Sequence, residues 1–138
     1  MTSIEPSPEQ LQRLIAEADD ETPIVMINLL RYRERADYPP GSGEEPCSGR
    51  EAYQRYGARV APMLAEVGGK ILWLGNVKQT VIRPEGEEWD DAILVQYPSR
   101  KAFLTMVMRA DYQRIAIHRS AALADSRLIA TATAMSGW

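Results

Sequence analysis

Hydrophobic residues recur along the chain in segments that alternate between strand and helix patterns. Residues 23–33 form an almost unbroken apolar run rich in β-branched side chains, which predicts a buried central strand. Residues 50–67 keep the helical period, and Gly68–Gly69 is a sequence that commonly ends a helix. Two further apolar segments, 70–82 and 89–98, are separated by a polar turn and predict an antiparallel pair of strands.

The last third of the chain repeats the order of helix and then strand. Ser99 predicts the N-cap of a helix over 100–108, and Asp111 predicts the N-cap of its continuation after a break near residues 109–110. Residues 126–134 predict a final strand. The complete order indicates the α+β class and the ferredoxin-like βαββαβ layout, with a four-stranded antiparallel sheet and the helices on one face.

An extra short helix is predicted ahead of this unit. Ser7 suits an N-cap and Pro8 suits the first helical position, while Gln10 completes a capping box. We therefore expect an N-terminal helical arm over residues 1–22 and a single ferredoxin-like domain over residues 23–138.

Residues 35–49 predict a long loop, because they contain three prolines, three glycines and no apolar period. Loops of this length often serve as lids or binding loops, and a loose insertion is an equally simple interpretation. We expect this loop to be the most mobile part of the chain. Cys47, which lies within it, should then be accessible to thiol reagents.

Both faces of the predicted sheet carry apolar side chains. In the second strand, strict alternation places Leu72 and Leu74 on one face and Ile71 and Trp73 on the other. Two helices cover only one face of such a sheet, and a second apolar face of this size is unusual for a monomer. We therefore expect a homodimer in which two sheets pack together about a two-fold axis.

Composition and charge narrow the classes of partner and location. The chain has 138 residues, of which 45% are hydrophobic and 25% charged, and this is typical of one globular domain. A net charge of -3 with scattered arginines gives no basic patch for nucleic acid. The apolar runs are too short for a membrane helix, the N-terminus lacks a signal-peptide pattern, and a single cysteine fits a reducing compartment. These features predict a cytoplasmic protein without membrane contact.

Residues that could hold a cofactor are scarce. One histidine and one cysteine make a poor ligand set for zinc or iron, and a haem would need a large apolar pocket in a small domain. The glycines at 41 and 43 are not followed by the rest of a phosphate-binding loop, and no GxSxG motif occurs. We expect neither a metal nor a cofactor.

The remaining candidates are polar side chains within or beside predicted apolar stripes. His118 has an unperturbed pKa of about 6.5, so it is the best candidate for catalytic proton transfer. Arg119 lies about 100° around the helix from His118, so the two should not face one cavity; it could pair with Asp125. The candidate ligand-binding residues are Asn28, Arg31, Tyr53, Tyr56 and Gln96.

Three functions are open at this point. A pocket between sheet and helices, rimmed by Asn28, Tyr53, Tyr56 and His118, could bind a small organic molecule. The same pocket could belong to a cofactor-free enzyme that uses His118 as a base. A structural or interaction dimer without a ligand is the third alternative. For His118 itself we favour a structural role, because an enzyme needs several converging groups.

Two segments carry a resemblance to a known family. The segments "GREAYQRYGARVAPMLAEVGGKILWLG" and "PSRKAFLTMVMRADYQRIAIHRSAALADSRLI" are similar to the bacterial domain-of-unknown-function family 1330 of the dimeric α+β barrel superfamily. The likeness extends over about residues 23–135. It implies the ferredoxin-like fold and a dimer, and it implies no reaction. The wider superfamily includes cofactor-free monooxygenases, muconolactone isomerases and haem-binding enzymes, which share a fold and not one chemistry.

Overall fold

The computed structural model describes residues 2–17 and 22–135. Residue 1, residues 18–21 and residues 136–138 lie outside the description, and with them part of the boundary predicted between arm and domain. The elements are α1 (Pro8–Ala16), β1 (Ile24–Tyr32), α2 (Gly49–Glu66), β2 (Lys70–Asn76), β3 (Asp91–Tyr97), α3 (Arg100–Val107), α4 (Ala110–Ala122) and β4 (Leu123–Thr131). In these described ranges, no helix is both long and apolar enough to cross a membrane.

The four strands form one antiparallel sheet in the order β2-β3-β1-β4. The apolar strand β1 lies in the middle, between β3 and β4, as its nearly unbroken hydrophobic sequence predicts. The predicted α+β class and ferredoxin-like arrangement are therefore confirmed. The final strand begins at Leu123, three residues before the predicted start, because α4 passes directly into it.

Alternate residues of β1 point toward the helices and form the core. Ile24 and Met26 pack with Met63 and Leu64 of α2 and with Met106 of α3. Further along the strand, Leu30 is fully buried in a second cluster with residues of α2 and α4. Because side chains alternate along a strand, the opposite face of β1 carries its odd-numbered residues. That second face is called the open face below.

Three helices begin at a capping serine, and two of these serines, Ser7 and Ser99, were predicted to be the caps. Ser7 and Ser48 each form a full capping box, and the Ser99 hydroxyl accepts a hydrogen bond from the backbone N–H of Ala102. The prediction for α4 was wrong by two residues. Its N-cap is Arg109, and Asp111 lies inside the first turn, where its carboxylate binds the Arg109 guanidinium with atoms 2.8 and 3.0 Å apart.

The predicted division of side chains between the two faces of β2 was also wrong. The register of β2 against β3 shifts between Ile71 and Trp73, as expected for a β-bulge. Ile71 and Leu74 therefore share the face of Ile93, while Trp73 pairs with Leu94 on the open face. All of Ile71–Leu74 is exposed in one copy of the chain, from 46% to 57%.

The arms of the 35–49 loop are hydrogen-bonded to each other and to the body of the protein. The backbone N–H of Ala36 donates to the carbonyl of Cys47, and that of Asp37 donates to the carbonyl of Ala121 in α4. Cys47 is only 6% exposed and packs in the core cluster around Leu30. The thiol was expected to be accessible, and this was wrong, because the part of the loop that leads back into α2 is packed in the core.

The base of the loop depends on a close approach of backbones. The N–H of Gly49 donates to the carbonyl of Arg33, and the N–H of Arg33 donates to the carbonyl of Ala122. A Cβ atom at Gly49 would overlap backbone atoms of both Arg33 and Ala122. Glycine is therefore needed here for space, so that the chain can leave and re-enter the body at one point.

Candidate functional site

The space between the sheet and helices α2 and α4 contains a group that we call the tyrosine cluster: Tyr53, Tyr56, Tyr112 and Arg119. Tyr53 and Tyr56 lie three residues apart on one face of α2, with ring centroids 5.3 Å apart. The hydroxyls of Tyr56 and Tyr112 are hydrogen-bonded at 2.9 Å, and their rings meet edge to face. Arg119, seven residues after Tyr112, lies on the same side of α4.

Burial favours the protonated form of Tyr53 and Tyr56. It raises the pKa of Tyr53 to about 12, although the nearby Arg119 guanidinium acts in the opposite direction. Burial also raises the pKa of Tyr56 well above its usual value, and the neighbouring hydroxyl of Tyr112 adds to the effect. At neutral pH the cluster therefore presents neutral hydroxyl donors beside a positive charge.

Asn28 lies on the face of β1 that points toward the helices, in line with Met26 and Leu30. Its Nδ2 donates to the carbonyls of Ile93 and Met26 at 3.4 and 3.5 Å, which are long for such bonds. Neither bond engages the amide oxygen. The amide predicted within the buried strand is thus weakly held and belongs to the same interior as the tyrosine cluster.

A carboxylate at the end of this interior is fully engaged. Asp91 is buried and accepts hydrogen bonds from Tyr32 at 2.6 Å, Asn76 at 2.9 Å and Arg50 at 3.0 Å. Burial alone would raise the pKa of Asp91, but these three partners outweigh it and hold the pKa below its usual value. The Tyr32 ring also contacts Tyr53, with centroids 5.6 Å apart.

A separate polar group, the loop cluster, joins the 35–49 loop to the helices. It consists of Tyr38, Glu44, Arg55 and His118. The Tyr38 hydroxyl lies 2.7 Å from Nδ1 of His118, and Nε2 of the same ring lies 3.7 Å from a carboxylate oxygen of Glu44. Arg55 of α2 donates to the Tyr38 hydroxyl at 3.3 Å and pairs with Glu44 at 3.5 Å.

His118 is 4% exposed, and its surroundings disfavour its charged form. Burial lowers the pKa of His118, the Arg59 and Arg55 guanidinium groups lower it further, and Glu44 partly opposes them. Burial raises the pKa of Tyr38, so the phenol keeps its proton. Because its oxygen accepts from Arg55, the hydroxyl hydrogen can be donated to Nδ1 of a neutral imidazole. The loop cluster is therefore a closed set of partners around a neutral histidine.

The structure brings some of the predicted site residues together and separates others. Asn28, Tyr53 and Tyr56 share the interior between sheet and helices. In the strand register, Arg31 of β1 lies opposite Asp125 of β4, and Gln96 of β3 lies opposite Val25 of β1. Both positions are on the open face, so neither side chain reaches that interior. The alternation of β1 contains this information, since positions 28 and 31 differ by an odd number.

His118 and Arg119 point in different directions, as their helical spacing predicts. His118 contacts the 35–49 loop, whereas Arg119 donates to the carbonyl of Ile4 at 2.6 Å and approaches Tyr53. The predicted pairing of Arg119 with Asp125 was wrong. Asp125 accepts instead from Arg127 at 2.7 Å and from the backbone of Ser3 at 2.8 Å.

Five residues of these clusters were not among the predicted site residues: Tyr38, Glu44, Arg55, Tyr112 and Arg119. Tyr112 and Arg119 could have been found, because a stripe through 112, 115 and 119 shares one side of α4 with core-facing Ile115. Tyr38 could not, because its partner His118 is 80 residues away in the sequence.

Two surface cavities lie away from both clusters. One of about 260 Å³ is lined by residues of the β2–β3 connection, and one of about 160 Å³ lies beside Arg100 and Thr131. Within residues 2–17 and 22–135, no group of three or more His, Cys, Asp or Glu side chains is arranged to hold a metal ion.

Comparisons with known proteins identify the family. The model of a domain of unknown function, DUF1330, matches residues 47–133. A crystal structure of the methylated RPA0582 protein is 38% identical, with a TM-score of 0.90 and 100% coverage of both chains. A crystal structure of the RPA0582 protein of unknown function from Rhodopseudomonas palustris is 35% identical, with a TM-score of 0.89 and coverage of 99% of this chain and 100% of that chain.

A more distant structure shares the fold alone. The hydroxynitrile lyase from Passiflora edulis is 11% identical, with a TM-score of 0.55, and the alignment covers 86% of this chain and 99% of the lyase. No curated protein of known function matches the sequence. The family match over residues 47–133 confirms the resemblance found in the sequence, and the chain belongs to the DUF1330 family.

Proposed function

We propose that this protein binds a small organic molecule bearing a carboxylate or another anionic group, in the interior between the sheet and helices α2 and α4. The observation that supports this most strongly is the convergence of Tyr53, Tyr56, Tyr112 and Arg119. Hydrogen-bond donors and a cation set among apolar side chains favour a ligand that supplies acceptors and negative charge.

The absence of a free acid in contact with the cluster supports the same choice of ligand. Among the described residues, Asp91 is the acid whose charge acts on Tyr53, and it already accepts from Tyr32, Asn76 and Arg50. A cationic ligand would therefore meet Arg119 without a carboxylate to balance it. Asn28, with its weakly held amide, adds a polar group on the floor of the same interior.

We do not extend the proposal to an enzyme that uses His118 as a base. Both ring nitrogens of His118 face groups of the 35–49 loop, and the ring is buried. We propose a structural role for this side chain. We propose that Arg31 and Gln96 belong to the open face and take no part in ligand binding.

A calorimetric titration tests the binding proposal. The probes are benzoate, phenylacetate and hexanoate, with benzylamine as a probe of opposite charge. We expect at least one carboxylate to bind and benzylamine not to bind. Tyr56→Phe removes one hydroxyl and should weaken binding about fivefold, since one hydrogen bond contributes about 1 kcal/mol. Tyr38→Phe is the matched control, because it removes the same atom from outside the cluster and should leave the affinity unchanged.

Two outcomes would count against the binding site. One is no binding of any carboxylate at millimolar concentration, which would favour a structural dimer without a ligand. The other is an equal loss of affinity in Tyr38→Phe and Tyr56→Phe.

We also propose that the protein is a homodimer formed through the open face. The support is the apolar composition of that face in one copy of the chain. Its apolar residues are Val25, Ile27, Leu29, Trp73, Ala92, Leu94 and Ile129. Trp73 is 54% exposed and Ile129 is 46% exposed. When two copies of the chain pack through this face, the apolar surface of both sheets is removed from water.

Light scattering tests the dimer. The wild type should have twice the chain mass, and Trp73→Glu should shift it toward the monomer by placing a charge in the interface. Ile15→Glu, on α1, is the control, because Ile15 has a similar exposure of 45% away from the sheet. A wild type of monomer mass at micromolar concentration would refute the proposal.

A further inference from the structure

The two arms of the 35–49 loop meet at one buried imidazole. Tyr38, on the outgoing arm, contacts Nδ1 of His118 at 2.7 Å, and Glu44, on the returning arm, lies 3.7 Å from Nε2. Between these two residues, positions 39–43 are exposed. The side chain of His118 is therefore positioned to hold both arms against α4.

The direction of the hydrogen bonds depends on the protonation of this ring. A neutral imidazole accepts the Tyr38 hydroxyl at Nδ1 and carries its hydrogen on Nε2. The Tyr38 oxygen in turn accepts from Arg55 at 3.3 Å, so the donors form one ordered chain from Arg55 through Tyr38 to His118. A proton on Nδ1 turns that nitrogen into a donor, so the Tyr38 hydroxyl must turn its hydrogen away and accept from His118 and Arg55 together. Two cations then share one oxygen, which opposes the closed arrangement.

Charges on both packed elements act on the same ring. Arg55 and Arg59 of α2 oppose a positive charge on His118, and Glu44 of the loop favours it. The pKa of His118 is lowered, first by burial and then by the Arg59 and Arg55 charges, which together outweigh the attraction to Glu44. The thiol of Cys47 lies near the same group and acts on Tyr38 and Arg55.

We propose that His118 is a pH-sensitive latch whose protonation releases the 35–49 loop from α2 and α4. This role is independent of ligand binding in the interior. Burial is the largest cause of the lowered pKa of His118, and release of the loop exposes the ring, so the open form binds a proton more readily than the closed form. The closed loop is consequently favoured above about pH 6.5, the ordinary value for histidine, and loses stability as the pH falls from there toward the lowered value.

Cys47 provides a reporter for loop opening. It is the chain's one cysteine, it is 6% exposed, and its carbonyl accepts a hydrogen bond from Ala36 across the loop. Its protection is the labelling rate of the urea-unfolded chain by dithiodipyridine, divided by that of the native protein at the same pH. This ratio cancels the titration of the unfolded thiol. We expect protection to fall between pH 7.5 and pH 5, by about tenfold per pH unit where the latch titrates.

Two variants distinguish a latch from general acid sensitivity. His118→Gln has no titrating ring, so its protection should not vary over this range. Arg59→Gln removes an exposed cation that opposes protonation, so the midpoint of the fall should move to higher pH. Three results would overturn the latch: a flat wild-type profile, the same fall in His118→Gln, or a fall that coincides with loss of the circular dichroism of the whole fold. An Arg59→Gln midpoint that stays in place or moves to lower pH would overturn it as well.

Discussion

The loop cluster and the tyrosine cluster are built from similar side chains, but they differ in how far their charges and hydrogen-bond donors are balanced by partners. In the loop cluster, a phenol, an imidazole, a carboxylate and a guanidinium satisfy one another, with Glu44 balancing Arg55. In the tyrosine cluster, two phenols are paired with each other, and Arg119 approaches Tyr53 without an ion pair to an acid in residues 2–17 or 22–135. A closed set of partners stabilises a fold, whereas unbalanced donors are typical of a site that receives a ligand.

The two clusters also lie in different parts of the fold. The loop cluster ties a long connection to the outside of α2 and α4, where the surrounding loop residues 39–43 are exposed. The tyrosine cluster lies between the helices and the sheet, next to the core around Met26. Removing a group from the first should therefore affect stability, and removing a group from the second should affect binding.

The largest expected effect is at the base of the loop. Gly49→Ala places a methyl group against the backbone of Arg33 and Ala122, and we expect the free energy of unfolding to fall by about 3 kcal/mol. Gly57→Ala is the matched control in the same helix, where a Cβ meets open space, and it should stabilise the protein by about 0.5–1 kcal/mol. Urea unfolding measures both. If Gly49→Ala is as stable as Gly57→Ala, the loop is not packed against the body as described.

A smaller effect separates the two clusters by their phenols. Tyr38→Phe removes the oxygen that joins His118 to Arg55, and we expect a loss of about 1.5 kcal/mol because two partners lose a bond. Tyr56→Phe removes one bond, to Tyr112, and should cost about 0.5–1 kcal/mol. Thermal unfolding of the two variants in parallel shows which of them loses more stability. The reverse order would show that the tyrosine cluster contributes more to stability than the loop cluster.

Most of the fold could be predicted because its signals are local. The capping serines Ser7 and Ser99, the apolar run of β1 and the glycine pair after α2 act within a few residues of their own position. The predicted faces of the β2 side chains were wrong because they depend on strand pairing. The bulge near Leu72 is a property of the register between β2 and β3, and it changes the face on which each side chain lies.

The candidate site could be predicted only in part. Helical spacing placed Tyr53 and Tyr56 together, and strand alternation placed Asn28 on the inner face. The contact that fixes the 35–49 loop joins Tyr38 to a residue in a different helix, so no local pattern contains it. Composition alone therefore described the loop as mobile, although Tyr38 and Cys47 pack against the body of the protein.

The most direct test of this account compares His118 with its neighbour in the sequence. Each is replaced by glutamine, and both the melting temperature and the affinity for the carboxylate identified by titration are measured. We expect His118→Gln to lose about 1 kcal/mol of stability with unchanged affinity, because one hydrogen bond to Tyr38 is altered. Arg119→Gln should weaken binding about tenfold or more, because the ligand loses a charged partner. A His118→Gln protein with wild-type stability and no ligand binding, beside an Arg119→Gln protein that binds normally, would contradict the assignment of the two clusters.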